Sequence, residues 1–162
     1  MSSRKTVVSL ENPNVKETAR LVKEAFSERK TLVIIGNCWV EYRGRASSKL
    51  EAGERIVMIK EDGSVLVHRP IGYEPANWQP PGCIFQTHVS DNVLQIRAVR
   101  RKPAESVRLF FDRIYLVSVL NLVDSGEFSL YASEEDMQKA VLCEPSLIEP
   151  NFKPISYEKK VE

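Results

Sequence analysis

Residues 31–44, TLVIIGNCWVEYRG, set the fold class of this 162-residue chain. The stretch is rich in β-branched residues and ends at a glycine, as β-strands typically do. GERIVMIKEDG at 53–63 and SVLVHRP at 64–70 have the same character. Glu61-Asp62-Gly63-Ser64 supplies turn residues between two apolar runs, so residues 55–67 are predicted to form a hairpin.

The sequence on either side adds a helix and more strands. A strand is expected near Thr6–Leu10, and a helix over Asn14–Lys30, capped by Asn12 or Asn14, carries an apolar stripe of Val15, Ala19, Val22 and Phe26. HVSDNVLQIRAVRR at 88–101 and ESVRLFFDRIYLVSVLNLV at 105–123 are predicted strands. Asp124-Ser125-Gly126 is expected to turn the chain back into EFSLYAS at 127–133.

The segment 72–82, GYEPANWQPPG, contains three prolines and cannot form an interior strand, so it is predicted to be a shaped loop. Ser133-Glu134-Glu135-Asp136 has the form of a capping box, and a helix is expected from there to the stop at Glu144-Pro145. The polar tail NFKPISYEKKVE at 151–162 is interpreted as the beginning of a second domain. The predicted domains are 1–131, mostly antiparallel β with one helix, and 132–162.

Composition gives little sign of a partner. Lys and Arg total 23 against 22 Asp and Glu, so any basic surface must be local. Cys38, Cys83 and Cys143 form no C-x-x-C pair, which favours a reducing cytoplasm over a disulfide framework or a zinc site. Neither a membrane span nor a signal peptide is visible, so a soluble cytoplasmic protein is predicted.

Residues with catalytic or metal-binding chemistry are sparse. Glu134, Glu135 and Asp136 point in different directions on a helix and suit its first turn, so capping is the preferred interpretation. His68 and His88 lie at no metal-ligand spacing, although a phosphate contact is open to His68, and Cys83 has no base nearby in sequence. No catalytic residue, metal ligand or cofactor is therefore predicted in this chain.

A basic and aromatic set lies between Tyr42 and Arg108. Cations that contact phosphates and flat rings on which bases stack are the elements of a sheet-based DNA binder. Each residue also has an ordinary interpretation, since arginines often coat exposed strands and a tryptophan between prolines often pins a loop to the core. The set comprises Arg43, Arg45, Lys49, Arg55, Lys60, Arg69, Arg97, Arg100, Arg101 and Lys102 with Tyr42, Tyr73 and Trp78.

The order and spacing of several motifs resemble the N-terminal domain of the NucS/EndoMS endonucleases. The motifs are Y-x-G-R-A-x-S-x-L at 42–50, G-x-R at 53–55, I-K-x-D-G-S at 59–64, V-H-x-P at 67–70 and P-x-N-W-x-P-P-G at 75–82. Residues 131–137 and 151–155 are similar to the family's entry into its nuclease domain. The resemblance therefore covers nearly the whole chain.

The resemblance implies a fold and a function. It implies an antiparallel half-barrel or β-sandwich domain that dimerises and binds DNA, followed by the start of a restriction-endonuclease-like domain. The family's catalytic Asp, Glu and Lys, which use magnesium or manganese, would follow Glu162, so this chain is expected not to cleave DNA. Mismatched, branched or single-stranded DNA is the implied substrate, and a sliding clamp is an implied partner of the full-length protein only. The alternative is a standalone regulatory or protein-interaction domain.

The resemblance also assigns roles to residues. Arg45 matches an arginine that contacts DNA, and Trp78 matches a tryptophan that stacks on an unpaired or flipped base. Asn77 is expected either to bond a base edge or to orient its own loop. Tyr73 stands near a position that is often basic in the family, so either Arg69 replaces that phosphate contact or Tyr73 stacks. Tyr42, Arg43 and Lys49 complete the predicted DNA surface.

Residues 114–123, IYLVSVLNLV, are apolar on both alternating faces. Such a strand needs cover from a second layer. The helix at Asn14–Lys30 or a two-fold partner would supply it, and the resemblance favours a homodimer. Asp at Val119 or Leu120 is expected to dissociate or unfold it.

Overall fold

A computed structural model describes residues 4–129 and 134–143 of the chain. The chain divides into two compact units, 1–123 and 124–162. The first unit contains β1 (Val7–Glu11), α1 (Val15–Ser27), β2 (Thr31–Arg43), β3 (Ser47–Ile59), β4 (Val65–His68), β5 (Asn77–Gln79), β6 (Ile84–Ser90), β7 (Val93–Arg101) and β8 (Ala104–Leu120). The described part of the second unit contains α2 (Glu134–Cys143). The domain boundary expected near residue 131 stays a prediction.

All eight strands belong to one sheet in the order β5-β4-β3-β2-β8-β7-β6, with β1 paired to β8 beside this path. Every pairing is antiparallel. β2 contains residues 31–43 of the stretch 31–44. It lies at the centre of the strand order, with β3 on one side and β8 on the other. The prediction of a mainly β, antiparallel fold with one or two helices is therefore confirmed.

The core lies between the inner face of this sheet and α1. Alternate residues of β2 are buried, as the two-residue period of a strand requires. α1 begins where Asn14 accepts a hydrogen bond from the Glu17 backbone N–H at 2.8 Å, so Asn14 is the cap of the two candidates, Asn12 and Asn14. Its apolar stripe packs against β8, β6 and β7, and Phe26 stacks on Phe85 with ring centroids 4.6 Å apart.

The structure departs from the predicted elements at several ends. α1 stops at Ser27, three residues before Lys30, and β8 stops at Leu120. Residues 127–129 form no strand, so the predicted return strand is wrong in its described part. The loop predicted at 72–82 contains β5, a three-residue strand at the edge of the sheet, where prolines are tolerated.

The sequence-based prediction also missed a two-residue hairpin turn. Asp91 and Asn92 both adopt positive φ, 52° and 57°, and join β6 to β7. Two consecutive residues at positive φ are the signature of a type I′ turn, in which Asp and Asn are favoured. The stretch 88–101 is therefore the end of one strand and the whole of the next.

The outer face of the sheet carries an apolar surface that we call the outer patch. Cross-strand pairs place Ile35 opposite both Ile56 and Leu116, and Met58 opposite both Val33 and Leu66. These six side chains are only partly buried, and Ile56 is 44% exposed. α1 covers the other face of β8, where Val117 and Val119 are buried. A helix or a two-fold partner was expected to cover the strand at 114–123, and the helix covers one of its faces.

α2 confirms the helix expected to begin at the acidic run 134–136, and it ends at Cys143, just before the predicted stop. Its proposed cap, Ser133, and residues 144–162 lie outside the described residues. Within 4–129 and 134–143, no helix is both long and apolar enough to cross a membrane.

Candidate nucleic-acid interface

An open groove of about 390 Å³ lies beside the edge strand β5. It joins the two regions that the sequence motifs singled out, Y-x-G-R-A and P-x-N-W-x-P-P-G. We call it the aromatic groove. Its walls are Tyr42, Ser48, Pro75, Ala76, Asn77, Trp78, Gln79, Pro80, Arg100 and Glu105.

Trp78 presents its indole to solvent at the rim of this groove. Its side chain is 59% exposed although it belongs to a strand. A tryptophan that pinned the loop against the core would be buried, so this exposure argues against the structural alternative. Pro75 and Pro80 flank the ring and restrict the backbone that carries it. The arrangement holds a large flat ring, accessible to solvent, in a defined position.

Tyr42 closes the other side of the groove from the end of β2. Its hydroxyl lies directly over Gly44, where a Cβ would overlap it and would also stand 3.3 Å from Cγ of Glu105. Glycine is therefore required for this packing of Tyr42. The physical basis of the Y-x-G motif is the space that the tyrosine ring needs.

An ion pair that the sequence analysis did not assign also lines the groove. Arg100 of β7 and Glu105 of β8 are cross-strand partners, with Nη1 and Oε2 3.9 Å apart, and both side chains are mostly buried. Arg100 appeared in the basic set, but nothing in the sequence paired it with Glu105. A tight turn at 102–103 brings them opposite each other. The groove therefore contains one carboxylate and one guanidinium beside its rings.

Two amides sit on β5 next to the indole. Gln79 is only 5% exposed, and its Oε1 has no hydrogen-bond partner among the described residues. Asn77 is half-buried, and its side chain makes no hydrogen bond with the described part of the chain. A buried carbonyl oxygen without a donor carries a desolvation cost. The groove thus offers polar groups that a ligand with N–H donors would satisfy.

Of the predicted cations, Arg100 lines the groove and Arg55 is buried, whereas Arg43, Arg45, Lys49 and Arg69 do not line it. Arg43 and Lys49 are exposed and line a second, shallow groove of about 300 Å³ that shares Tyr42 and Ser48 with the aromatic groove. Arg45 is exposed in the turn between β2 and β3. Arg69 and Tyr73 are exposed in the loop after β4 and are not among the lining residues of either groove.

The remaining chemical candidates have ordinary environments. Burial raises the pKa of Cys38 to about 12, opposed by the nearby Arg55 charge, and burial also raises the pKa of Cys83. Both thiols are therefore poor nucleophiles at neutral pH. Residues 4–129 and 134–143 contain no group of three His, Cys, Asp or Glu side chains arranged to hold a metal ion.

Comparison with known proteins adds independent information. Residues 28–127 match the family model described as the endonuclease NucS N-terminal PH-like domain. The chain is 37% identical to endonuclease NucS of Thermococcus kodakarensis over 98% of this chain and 63% of that protein. It is 40% identical to endonuclease NucS of Pyrococcus horikoshii over 98% of this chain and 61% of that protein.

Solved structures agree with the sequence comparison. The fold matches that of EndoMS in a complex with double-stranded DNA with a TM-score of 0.77, at 37% identity, over 98% of this chain and 66% of that one. It matches EndoMS in its apo form with a TM-score of 0.70, at 36% identity, over 97% of this chain and 65% of that one. The chain therefore spans about three fifths of the length of the curated relatives it matches.

Proposed function

Since this chain belongs to the family of endonuclease NucS N-terminal domains, we propose that it is the DNA-binding and dimerisation half of a NucS/EndoMS-type endonuclease. The observation that carries the proposal is the exposed Trp78 ring, held beside Tyr42 and Asn77 in the aromatic groove. The relative solved with double-stranded DNA supports it. The DNA would be mismatched, branched or single-stranded.

In the proposed mode of binding, one base leaves the helix and enters the aromatic groove. Extruding a base costs stacking free energy, least at a mismatch, and stacking on the Trp78 indole recovers part of that cost. Asn77, Gln79 and the Arg100–Glu105 pair are the polar groups available to the base edges. Arg43, Arg45 and Lys49 would contact the phosphates on the Tyr42 side, and on the loop side either Arg69 would contact a phosphate or Tyr73 would stack on a base.

Tryptophan fluorescence tests this proposal. The chain contains two tryptophans, so the measurement uses the Trp39→Phe background, in which the substituted side chain keeps an aromatic ring against Phe110. We expect Trp78 emission to change on titration with a G·T mismatched duplex, and we expect Trp78→Ala to weaken binding by ~1–3 kcal/mol. Trp78→Phe keeps an aromatic ring and is the matched control. Unchanged affinity in Trp78→Ala would reject base stacking.

One alternative role for the ring needs its own measurement. Trp78 is the cross-strand partner of Leu66, a member of the outer patch, so the ring is also placed to serve a subunit contact. Sedimentation of Trp78→Ala separates the two roles. Weaker DNA binding with an unchanged mass supports stacking, whereas a loss of mass assigns the ring to assembly.

We also propose that a second copy of the chain covers the outer patch. Six apolar side chains form one continuous face, and a two-fold interface can bury the same face from both copies.

The proposal assigns no cleavage to these 162 residues. By resemblance to the family, hydrolysis with its magnesium or manganese and any sliding-clamp contact would belong to the nuclease domain and tail of a full-length protein. The second candidate function is a standalone regulatory or protein-interaction domain. It is supported by the apolar residues Ile71 and Tyr73, which are 89% and 90% exposed. Absence of DNA binding by the wild-type chain would favour it.

A further inference from the structure

The outer face of the sheet near Arg43 carries a row of cations that the aromatic groove does not use. Arg97 of β7 is the cross-strand partner of Arg108 on β8, Arg108 that of Glu41 on β2, and Glu41 that of Lys49 on β3. Arg43 lies two residues beyond Glu41 and therefore points to the same face. We call Arg97, Arg108, Arg43 and Lys49 the cationic row.

The charges of this row are only partly compensated, because Glu41, the cross-strand partner of Arg108 and Lys49, is one carboxylate among four cations. Two like charges directly opposite each other on neighbouring strands destabilise a sheet. None of the four cations forms an ion pair with residues in 4–129 or 134–143. Arg97 donates from Nη1 to Gln86 Oε1 at a long 3.5 Å. Glu41 lies opposite Arg108 and not opposite Arg97, so the repulsion between the two arginines is only partly offset.

The two arginines are also partly desolvated. Both side chains are half-buried, and the Nε atom of each is buried with no hydrogen-bond partner among the described residues. A guanidinium in this situation gains more from an external oxyanion than a fully hydrated one, because charge-assisted bonds strengthen as water is excluded. Beside them, a shallow groove of about 280 Å³ is lined by Arg43, Arg97, Val99 and Ser106, among others.

The row is continuous with the aromatic groove. Tyr42 and Ser48 line both that groove and the shallow one that contains Arg43 and Lys49. Neighbouring strands are ~4.8 Å apart, so the row across β3, β2, β8 and β7 is roughly 14 Å long. Consecutive phosphates of a strand are spaced about 3.4 Å along a duplex axis. The row is therefore long enough to contact several phosphates.

We propose that Arg97 and Arg108 extend the DNA-binding surface across β8 and β7 by binding the phosphodiester backbone on the far side of Arg43. The inference rests on the proposed function, since the same DNA would place a base in the aromatic groove. A second copy of the chain is the weaker occupant, because a two-fold contact here would bring like charges together. The cationic row and the outer patch thus divide the outer face between DNA and subunit contacts.

The salt dependence of DNA binding by the full 162-residue chain tests this extension. The probe is a fluorescently labelled oligothymidylate, whose affinity is measured over a range of sodium chloride concentrations. Each phosphate contact contributes about 0.7 to the slope of log K against log salt for single strands, so Arg97→Gln/Arg108→Gln should reduce the slope by about 1.4. Arg20→Gln, at an exposed position on α1, is the matched control and should leave the slope unchanged.

The outcomes separate this inference from the proposed function. A reduced slope with the Trp78 fluorescence change retained supports both the extension and the proposed function. Arg97→Lys/Arg108→Lys keeps the two charges and should show the wild-type slope. A wild-type slope in the double glutamine variant overturns the extension and leaves the proposed function intact. A lower sedimentation mass with unchanged DNA binding also overturns it and assigns the pair to assembly.

If circular dichroism shows that the double variant is not folded, the two single variants replace it. Each single variant should then lower the slope of log K against log salt by about 0.7. Failure of the wild-type chain to bind DNA rejects the proposed function and this inference together.

Discussion

The guanidinium of Arg55 lies directly against the α-carbon of Gly53, where a Cβ would overlap its Nη1 atom. Arg55 is 5% exposed and donates from Nη2 to the Glu51 carbonyl at 2.9 Å and from Nη1 to the Cys38 carbonyl at 3.5 Å. The β2–β3 register shifts between Cys38 and Val40, so β3 carries an extra residue here. The arginine therefore satisfies carbonyl groups at a bulge, and the glycine makes room for it.

Gly53→Ala should destabilise the domain for this reason. The added methyl group must displace a buried, hydrogen-bonded guanidinium, and overpacking of this kind costs about 1–3 kcal/mol. Urea denaturation followed by circular dichroism measures the change. Ala52→Ser, at the exposed neighbouring position, is the control and should unfold like the wild type. Wild-type stability in Gly53→Ala would show that Arg55 can move at little cost.

Local pattern accounts for the parts of the fold that the sequence predicted. The strand at 31–43, the Asn14 cap and the turn at Glu61–Ser64 are each determined by a few adjacent residues, and each was predicted. Trp78, Tyr42 and Asn77 were pointed out by the family resemblance and meet in one groove, and their DNA contacts stay a prediction.

The unpredicted parts depend on contacts between distant residues. The bulge at Arg55, the Arg100–Glu105 pair and the Arg97–Arg108 pair all depend on strand register. Register is set by the packing of the whole sheet and cannot be read from one strand. The type I′ turn at Asp91–Asn92 is the exception, since its sequence carried a signal that was overlooked.

The three cysteines should differ in reactivity. Alkylation requires the thiolate, and burial raises the pKa of Cys38 to about 12, so its thiol stays protonated at pH 8. Cys83 is half-buried with a raised pKa, whereas Cys143 is exposed. Iodoacetamide at pH 8, followed by mass spectrometry, should modify Cys143 first, Cys83 more slowly and Cys38 only after urea unfolds the chain. Modification of Cys38 as fast as Cys143 would show that the inner face of β2 opens readily.

The chain should not cleave DNA with added magnesium or manganese. Phosphodiester hydrolysis of this type needs clustered carboxylates around a metal, and the described residues provide no such group. Incubation with mismatched and branched duplexes, resolved on denaturing gels, provides the measurement. The acidic run at 134–136 supplies the control, as Glu134→Gln/Glu135→Gln/Asp136→Asn should behave like the wild type. Turnover that copurifies with the chain and disappears in this triple variant would contradict the prediction.

A homodimer should form through the outer patch, so sedimentation at micromolar concentration should report about twice the chain mass of 18.4 kDa. Ile56→Asp should lower this mass without unfolding the chain, because Ile56 is 44% exposed and its new carboxylate stays hydrated in the monomer. Ile84→Asp is the matched control, since Ile84 is 55% exposed but lies on β6, at the opposite end of the sheet path. Val119→Asp should instead unfold the protein, because Val119 is 6% exposed on the face that α1 covers. Equal masses for the wild type and Ile56→Asp would exclude the outer patch as the interface.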